Sequence, residues 1–418
     1  MLITSIGSYN LKNMDKFQNP FVPGAGTAPP ELVGREAVLD EAAVTFARIK
    51  GGKSARSFLL VGLRGVGKTV LLNRLQDIAE KAGYRALAIE APENKRLPAI
   101  LAPQLRQLLF SLDRMQNVNE HVKRALAVLK SFGNAFRVTY HELEFGLNID
   151  AETGTADSGD LEADLPELFL AVARAAEARG TPVAIFIDEM QYLTEQELSA
   201  LIMAIHKIGQ KNLPLVLVGA GLPQLVGLTG KCKSYAERLF DFPHIGALSS
   251  FDARNALQIP VRKEGALFEN AALDEIIRVT KGYPYFLQEW GYHAWNTATR
   301  SPITLGVIKD SHDAVVRRLD ANFFRVRFDR LTPREKDYLR AMAELGPDAH
   351  RSGEVADLLE VEVRSVAPLR SGLIKKGMIY SPAHGDTAFT VPLFDEFMKR
   401  TIPIMKRPRS STQNVPPD

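Results

Sequence analysis

The chain has a single cysteine, Cys232, set between Lys231 and Lys233. No intramolecular disulfide can form, so a reducing compartment fits, and the lone thiol reads as inert. Nowhere do about 18 apolar residues run together, so no transmembrane helix is expected. The opening MLITSIGSYNLKNMDKF lacks a basic stretch followed by a long apolar run and does not read as a signal peptide. These absences together predict a cytoplasmic protein with no membrane partner. Net charge is only +3 over 418 residues, so any basic surface must be local. Internal repeats are absent as well. What remains is ordinary: 45% hydrophobic and 24% charged residues, a balance that closes cores. The length suits roughly two or three domains.

Along the chain, residues 1–31 are rich in Gly, Pro and Asn and read as irregular. Glu36–Lys50 has helical periodicity through Val38, Leu39, Ala42, Val44 and Phe46. Strands are expected at Ser57–Val61, Tyr84–Glu90, Val183–Ile187 and Leu213–Val218. Helices are expected over Lys68–Ala82, Ala99–Leu112, Glu120–Phe132 and Leu165–Arg179. Continuous apolar strands alternating with helices indicate a parallel sheet covered on both faces. Arg137–Ile149 alternates apolar and polar residues, as an exposed strand or hairpin would. The acidic stretch Asp150–Asp164 matches no calcium-loop spacing and reads as a loop capped by Asp160 into the next helix.

Between the first strand and its helix lies Gly62-Leu63-Arg64-Gly65-Val66-Gly67-Lys68-Thr69, which fits G-x-x-x-x-G-K-[ST]. Backbone N–H groups must converge on phosphate oxygens there, and side chains would block that approach; glycines permit it. The helix opening at Lys68 and continuing through Val70 aims its positive end at the same anion. Lys68 should reach the β- and γ-phosphates, and the Thr69 hydroxyl should ligate Mg²⁺. Asp188 and Glu189 emerge at the C-terminal end of an apolar strand, where ligands sit in open α/β sheets. Asp188 is expected to hold Mg²⁺, and Glu189 to orient and deprotonate the attacking water. A nucleoside triphosphate is the expected ligand.

On these residues the chain resembles P-loop NTPases that carry a catalytic glutamate after the strand aspartate. More narrowly, it resembles AAA+ and STAND-type ATPases, including replication-initiator (origin-recognition-like) proteins, over most of residues 32–400. Three further stretches carry the likeness. Val33-Gly34-Arg35 lies where these families line the adenine pocket, though Arg35 could equally pair with Glu36. Gly282-Tyr283-Pro284 is similar to the G-x-P element of their lid, with Pro284 near the base, or it is only a turn before a helix. Arg238 stands where relatives place an arginine that reaches a neighbouring subunit's γ-phosphate, unless it is a surface arginine. The resemblance implies ATP or ADP with Mg²⁺, and a catalytic set of Lys68, Glu189 and Arg238. It also marks a departure: Gly219, Ala220 and Gly221 stand where many AAA+ enzymes carry a polar sensor, and no arginine matches the lid sensor. That predicts tight binding with slow turnover, with Gln191 partly replacing the sensor.

From residue 331 the pattern fits a winged helix-turn-helix. Thr332 and Glu335 have capping-box spacing. Further helices are expected at Ser352–Leu359 and Val363–Lys375, with Pro368 tolerable only near the start of the latter. A two-stranded wing is expected around His384-Gly385-Asp386. A DNA-binding version would use Arg364, Ser365, Arg370 and Lys375 on double-stranded DNA. In a STAND-like version the same unit packs only on protein.

The expected class is therefore α/β: a P-loop core over about 32–243 with an insert at about 95–164, an α-helical lid over 244–322, a winged helix over 331–400, and a polar tail over 401–418. The expected function is an ATP-dependent switch controlling an assembly on DNA. The alternatives are a signalling switch that touches only protein, or an adaptor that does not hydrolyse. Homo-oligomers or a partner protein are expected companions.

Overall fold

The computed structural model describes residues 13–404, except 25, 92, 113–118 and 139–148. The chain divides into two compact units. One comprises Arg35–Gly62 and Gly67–Ile245; the other comprises Met1–Gly34, Leu63–Val66 and Gly246–Asp418.

The first unit is built on a sheet of β1 (Ser57–Val61), β2 (Arg85–Glu90), β3 (Val183–Asp188), β4 (Leu215–Gly221) and β5 (Phe240–Asp241). All pairs are parallel, in the order β2-β3-β4-β1-β5. Every residue of β1, β3 and β4 is buried, which is why these strands read as unbroken apolar runs. The covering helices are α1 (Glu36–Lys50), α2 (Lys68–Lys81), α3 (Leu97–Leu112), α4 (Glu120–Ala135), α5 (Leu161–Ala178), α6 (Glu195–Gln210), α7 (Gln224–Cys232) and α8 (Ala236–Leu239). Helix α6 starts with a capping box between Thr194 and Glu197. The Glu197 Oε1 also accepts the Leu97 N–H at 2.6 Å, tying α3 to α6.

Several elements run further than their sequence suggests, α5 and β4 among them. Helix α5 begins at Leu161, one turn before the expected Leu165, because Asp160 caps it and the acids Glu162 and Asp164 fill its first turn. Strand β4 continues through Gly219–Gly221. The acidic stretch is folded rather than merely solvated. Asp164 is buried and accepts from the Ser158 hydroxyl at 2.8 Å and the Gly159 N–H at 2.8 Å, while Glu152 pairs with Arg124 at 2.9 Å. The alternating stretch from Arg137 lies mostly outside the described residues, as does the tail from residue 405.

The second unit contains α9 (Ser250–Lys263), α10 (Asn270–Thr280), α11 (Pro284–Thr297), α12 (Leu305–Leu319) and α13 (Arg325–Phe328). After these come α14 (Pro333–Leu345), β6 (His350–Arg351), α15 (Ser352–Leu358), α16 (Val363–Lys375), β7 (Ile379–Tyr380), β8 (Asp386–Phe389) and α17 (Phe394–Thr401). The last three strands form an antiparallel sheet in the order β6-β8-β7. Thr332 and Glu335 form the expected capping box of α14. Pro368 falls in the second turn of α16, later than expected, and leaves the Arg364 carbonyl without its intrahelical donor. The N-terminal segment is anchored here: Phe21 packs its ring where a Cβ on Gly291 would come within 2.7 Å, and Asn19 donates to the Tyr292 carbonyl at 3.0 Å. No described helix is long and apolar enough to cross a membrane.

Candidate nucleotide site

The glycine turn leaves β1 at its buried end and enters α2. Gly62 donates to the Gly221 carbonyl at 3.2 Å, fixing the start of the turn to the neighbouring strand. Gly65 and Gly67 have φ of 79° and 91°, a left-handed backbone that a side chain would strain. A Cβ on Gly67 would meet nothing within 4 Å, so the space beyond it is open. Helix α2 has no side-chain cap, which leaves its first N–H groups directed at that opening. Lys68 is only 7% exposed, and its Nζ donates to the Gly62 carbonyl at 3.0 Å. Val66 is buried; Arg64 and Val70 are half-buried.

Asp188 ends β3 at 9% exposure. The Thr69 hydroxyl donates to its Oδ2 at 2.6 Å, and the Glu189 N–H donates to its Oδ1 at 2.8 Å. Burial pushes the Asp188 carboxyl above its ordinary range, and these two donors only partly offset that. A buried carboxylate beside a hydroxyl, at the mouth of an uncapped helix, is a donor set suited to a hard divalent cation beside a polyphosphate. The residues present therefore fit Mg²⁺ and a nucleotide. Glu189 adopts a left-handed φ of 53°, uncommon for a side-chain-bearing residue, and its carboxylate accepts from the Gln191 amide. The Gln191 Oε1 in turn accepts the Leu222 N–H at 3.0 Å, just past β4. Gln191 thus links the expected base to the strand where a sensor was expected.

That strand has no room for a side chain at Gly219 and little at Gly221. A Cβ on Gly219 would overlap the Met190 sulfur and come 2.6 Å from Leu59 Cδ2. A Cβ on Gly221 would come 3.1 Å from Gln191 Oε1.

Residues 63–66 of the glycine turn group with the second unit, and their partners there were not read from the sequence. The Tyr285 N–H donates to the Gly65 carbonyl at 3.2 Å, and the Arg64 N–H donates to the Thr390 carbonyl at 2.9 Å. Tyr285 directly follows Pro284, the first residue of α11, so the G-x-P element was the available signal; Thr390 gave none. Gly282 has no room for a side chain, since a Cβ would lie 2.5 Å from the Leu248 carbonyl oxygen. Val33 and Gly34 are half-buried, with Gly34 closely covered by Asp252, and Arg35 opens α1. Arg238 is exposed on α8 with no acidic partner among the described residues. On α16, Arg364 and Lys375 are exposed. The Ser365 hydroxyl instead donates to the Glu362 carbonyl at 2.7 Å. Arg370 donates to Thr387 Oγ1 at 2.9 Å, Ser381 Oγ at 2.8 Å and the Asp386 carbonyl at 2.9 Å, pinning the β7–β8 hairpin to the helix.

Parallel sheet, glycine turn and strand-end acids define a P-loop ATPase core. Residues 31–218 match the family described as AAA ATPase domain, so this part of the chain is an AAA+ P-loop ATPase domain. Residues 321–398 match a family described as a domain of unknown function. Among solved structures, the Walker-type ATPase PABY2304 of Pyrococcus abyssi is similar at 16% identity and a TM-score of 0.58, over 89% of this chain and 97% of that one. The Aeropyrum pernix ORC1 protein in complex with DNA matches at 16% identity and a TM-score of 0.43, over 92% and 96%. The Thermotoga maritima RuvB Holliday junction branch migration motor matches at 16% and 0.44, over 94% and 100%. The likeness to PABY2304 concerns the fold alone. No curated protein matches the chain.

Proposed function

We propose that the chain is an ATP-binding switch that hydrolyses ATP slowly and transmits its nucleotide state through its C-terminal unit to an assembly on DNA. The observation that carries the reading is the Thr69–Asp188 hydrogen bond at the mouth of the glycine turn, with Glu189 held beside it by Gln191. In this reading Lys68 exchanges the Gly62 carbonyl for phosphate oxygens. The amides from Gly65 to Thr69 bind the remaining phosphate charge. Thr69 and Asp188 hold Mg²⁺, which supplies charge neutralisation when bound. Glu189 accepts the proton of the attacking water, and Gln191 keeps its carboxylate in place. Slow turnover follows from the absence of a polar side chain over Gly219–Gly221. Val33, Gly34, Arg35 and Pro284 line the base in this proposal, and Arg238 serves a neighbouring copy.

The DNA part rests on Arg364 and Lys375, both exposed on α16. A second reading, in which this unit contacts only protein, is favoured by a specific observation. Arg370 and Ser365 are occupied within the unit, and the exposed Glu360 and Glu362 stand beside Arg364. Calorimetry with Mg·ATP tests the core: binding is expected for the native chain and lost in Lys68→Ala, and no heat from the native chain overturns the proposal. Titration of duplex DNA at rising salt tests the rest. Binding that weakens in R364A/K375A supports the DNA reading, and none at low salt, with or without ATP, selects the protein reading.

A further inference from the structure

We infer that Glu90 is a second carboxylate of the cation site and acts there through a metal-bound water; this rests on the nucleotide reading of Thr69 and Asp188. Strands β2 and β3 run parallel and in register, with Glu90 beside Asp188 at their C-terminal ends. Neighbouring strands lie about 4.8 Å apart. The Ala91 N–H donates to the Asp188 carbonyl at 3.0 Å, which holds the two strand ends level. Side chains alternate between the faces of a strand. Leu87 and its partner Ile185 both enter the core formed with α3, α4, α5 and α6. Glu90 and Asp188 therefore share the opposite face. That face carries α2, which brings Thr69 to Asp188 and whose buried Leu71, Leu72 and Leu75 lie outside that core.

The carboxylates already assigned to the site are engaged. Asp188 accepts from the Thr69 hydroxyl on one oxygen and from the Glu189 N–H on the other. Glu189 accepts from the Gln191 amide, which ties it toward the end of β4. Glu90 stands on the other side of Asp188, on the edge strand. It is exposed, and no described residue bonds or pairs with its carboxylate. Among the described residues no three acidic, imidazole or thiol side chains stand close enough to hold a metal directly. That suits Mg²⁺, which keeps several of its waters and takes only one or two carboxylates. Those waters need acceptors, and a carboxylate in the outer shell supplies one and fixes their orientation. Glu90 is the open carboxylate one strand away from the metal-binding aspartate.

The test measures ADP binding to the full chain by calorimetry, once in EDTA and once at saturating Mg²⁺. The native chain should bind ADP more tightly with Mg²⁺. Glu90→Gln should cut that gain about tenfold, the low end of the loss when an outer-shell partner of a metal is removed, and leave the affinity in EDTA unchanged. Asp188→Asn should abolish the gain. Glu177→Gln is the control for charge alone: Glu177 is exposed near the end of α5, which leads into the start of β3, the opposite edge of the sheet from Asp188. It should behave as the native chain does. An undiminished gain in Glu90→Gln overturns the inference and leaves Glu90 as an ordinary charge on an edge strand. An equal loss in EDTA, or an equal loss in Glu177→Gln, overturns it as well. If Asp188→Asn loses the gain while Glu90→Gln keeps it, this inference fails alone and the nucleotide reading stands. If the native chain binds no ADP, or binds it without regard to Mg²⁺, the cation site itself falls and Glu90 with it.

Discussion

Asp188 shows at one residue how binding chemistry opposes stability. Burial raises its pKa, so the ionised form is the costly one in the folded chain without nucleotide. Below about pH 4 the group is protonated folded or unfolded, and burial costs little. As pH rises through the elevated folded value, the carboxylate must ionise in place and stability falls. Asp188→Asn should therefore melt higher than the native chain at neutral pH, with the difference closing toward pH 4. The same variant should lose Mg²⁺-dependent nucleotide binding. Thermal unfolding across pH, with and without Mg·ATP, checks both halves, and a lower midpoint at neutral pH would contradict the argument. Gln191 makes the complementary case, because it touches the expected base rather than the nucleotide. Gln191→Leu should lower kcat about 10- to 100-fold, the usual loss when an orienting partner is removed, and leave the ATP dissociation constant unchanged. Gln191→Glu should also shift the pH–rate profile upward, since a second carboxylate beside Glu189 resists its ionisation. Phosphate release over a pH series separates this positioning role from a merely structural one.

At the scale of elements, β4 explains why a sensor is missing. The Gly219–Gly221 stretch looks like a loop in sequence because glycines weaken strands. It continues the strand because Met190 and Leu59 occupy the space side chains would need. Gly219→Ala should cost about 1–3 kcal/mol by overpacking, read as a lower urea midpoint for the first unit's transition. An unchanged midpoint would mean that Met190 moves aside freely. The sheet was legible because β1, β3 and β4 are buried on both faces and so read as unbroken apolar runs. The glycine turn and its acids were legible because their chemistry fixes residue types at fixed spacing. Helix α5 was read a turn short, since acids that favour a helix start also resemble a solvated loop. Arg370 was read as a DNA contact of a DNA-binding version because sequence gives its charge but not its three partners, which lie 11 to 17 residues away on the hairpin.

At the scale of the whole molecule, sequence neighbours and spatial neighbours part company. Leu63–Val66 lies in the middle of the glycine motif, yet it clusters with the second unit, through backbone hydrogen bonds to Tyr285 and Thr390. Contacts between main-chain groups leave no mark on residue type, so nothing in the sequence announced Thr390. Arg238 poses the reverse case: an exposed arginine with no acidic partner among the described residues, whose proposed role exists only if another copy supplies the phosphate. An arginine that reaches a transferring phosphoryl group from a neighbour contributes about 10³- to 10⁵-fold in rate. Arg238→Ala should therefore lose about 10³-fold in turnover with ATP binding intact. Glu189→Gln should be equally inactive for a different reason. Mixing the two inactive variants discriminates sharply. In a shared site, the intact Glu189 of one variant meets the intact Arg238 of the other, and activity returns at some interfaces. In a site contained within one chain, no mixture can restore it. The mass of the native chain with a slowly hydrolysed ATP analogue should rise in step with that recovery. A monomer throughout, with no recovery on mixing, would confine Arg238 to the surface and the chemistry to a single chain.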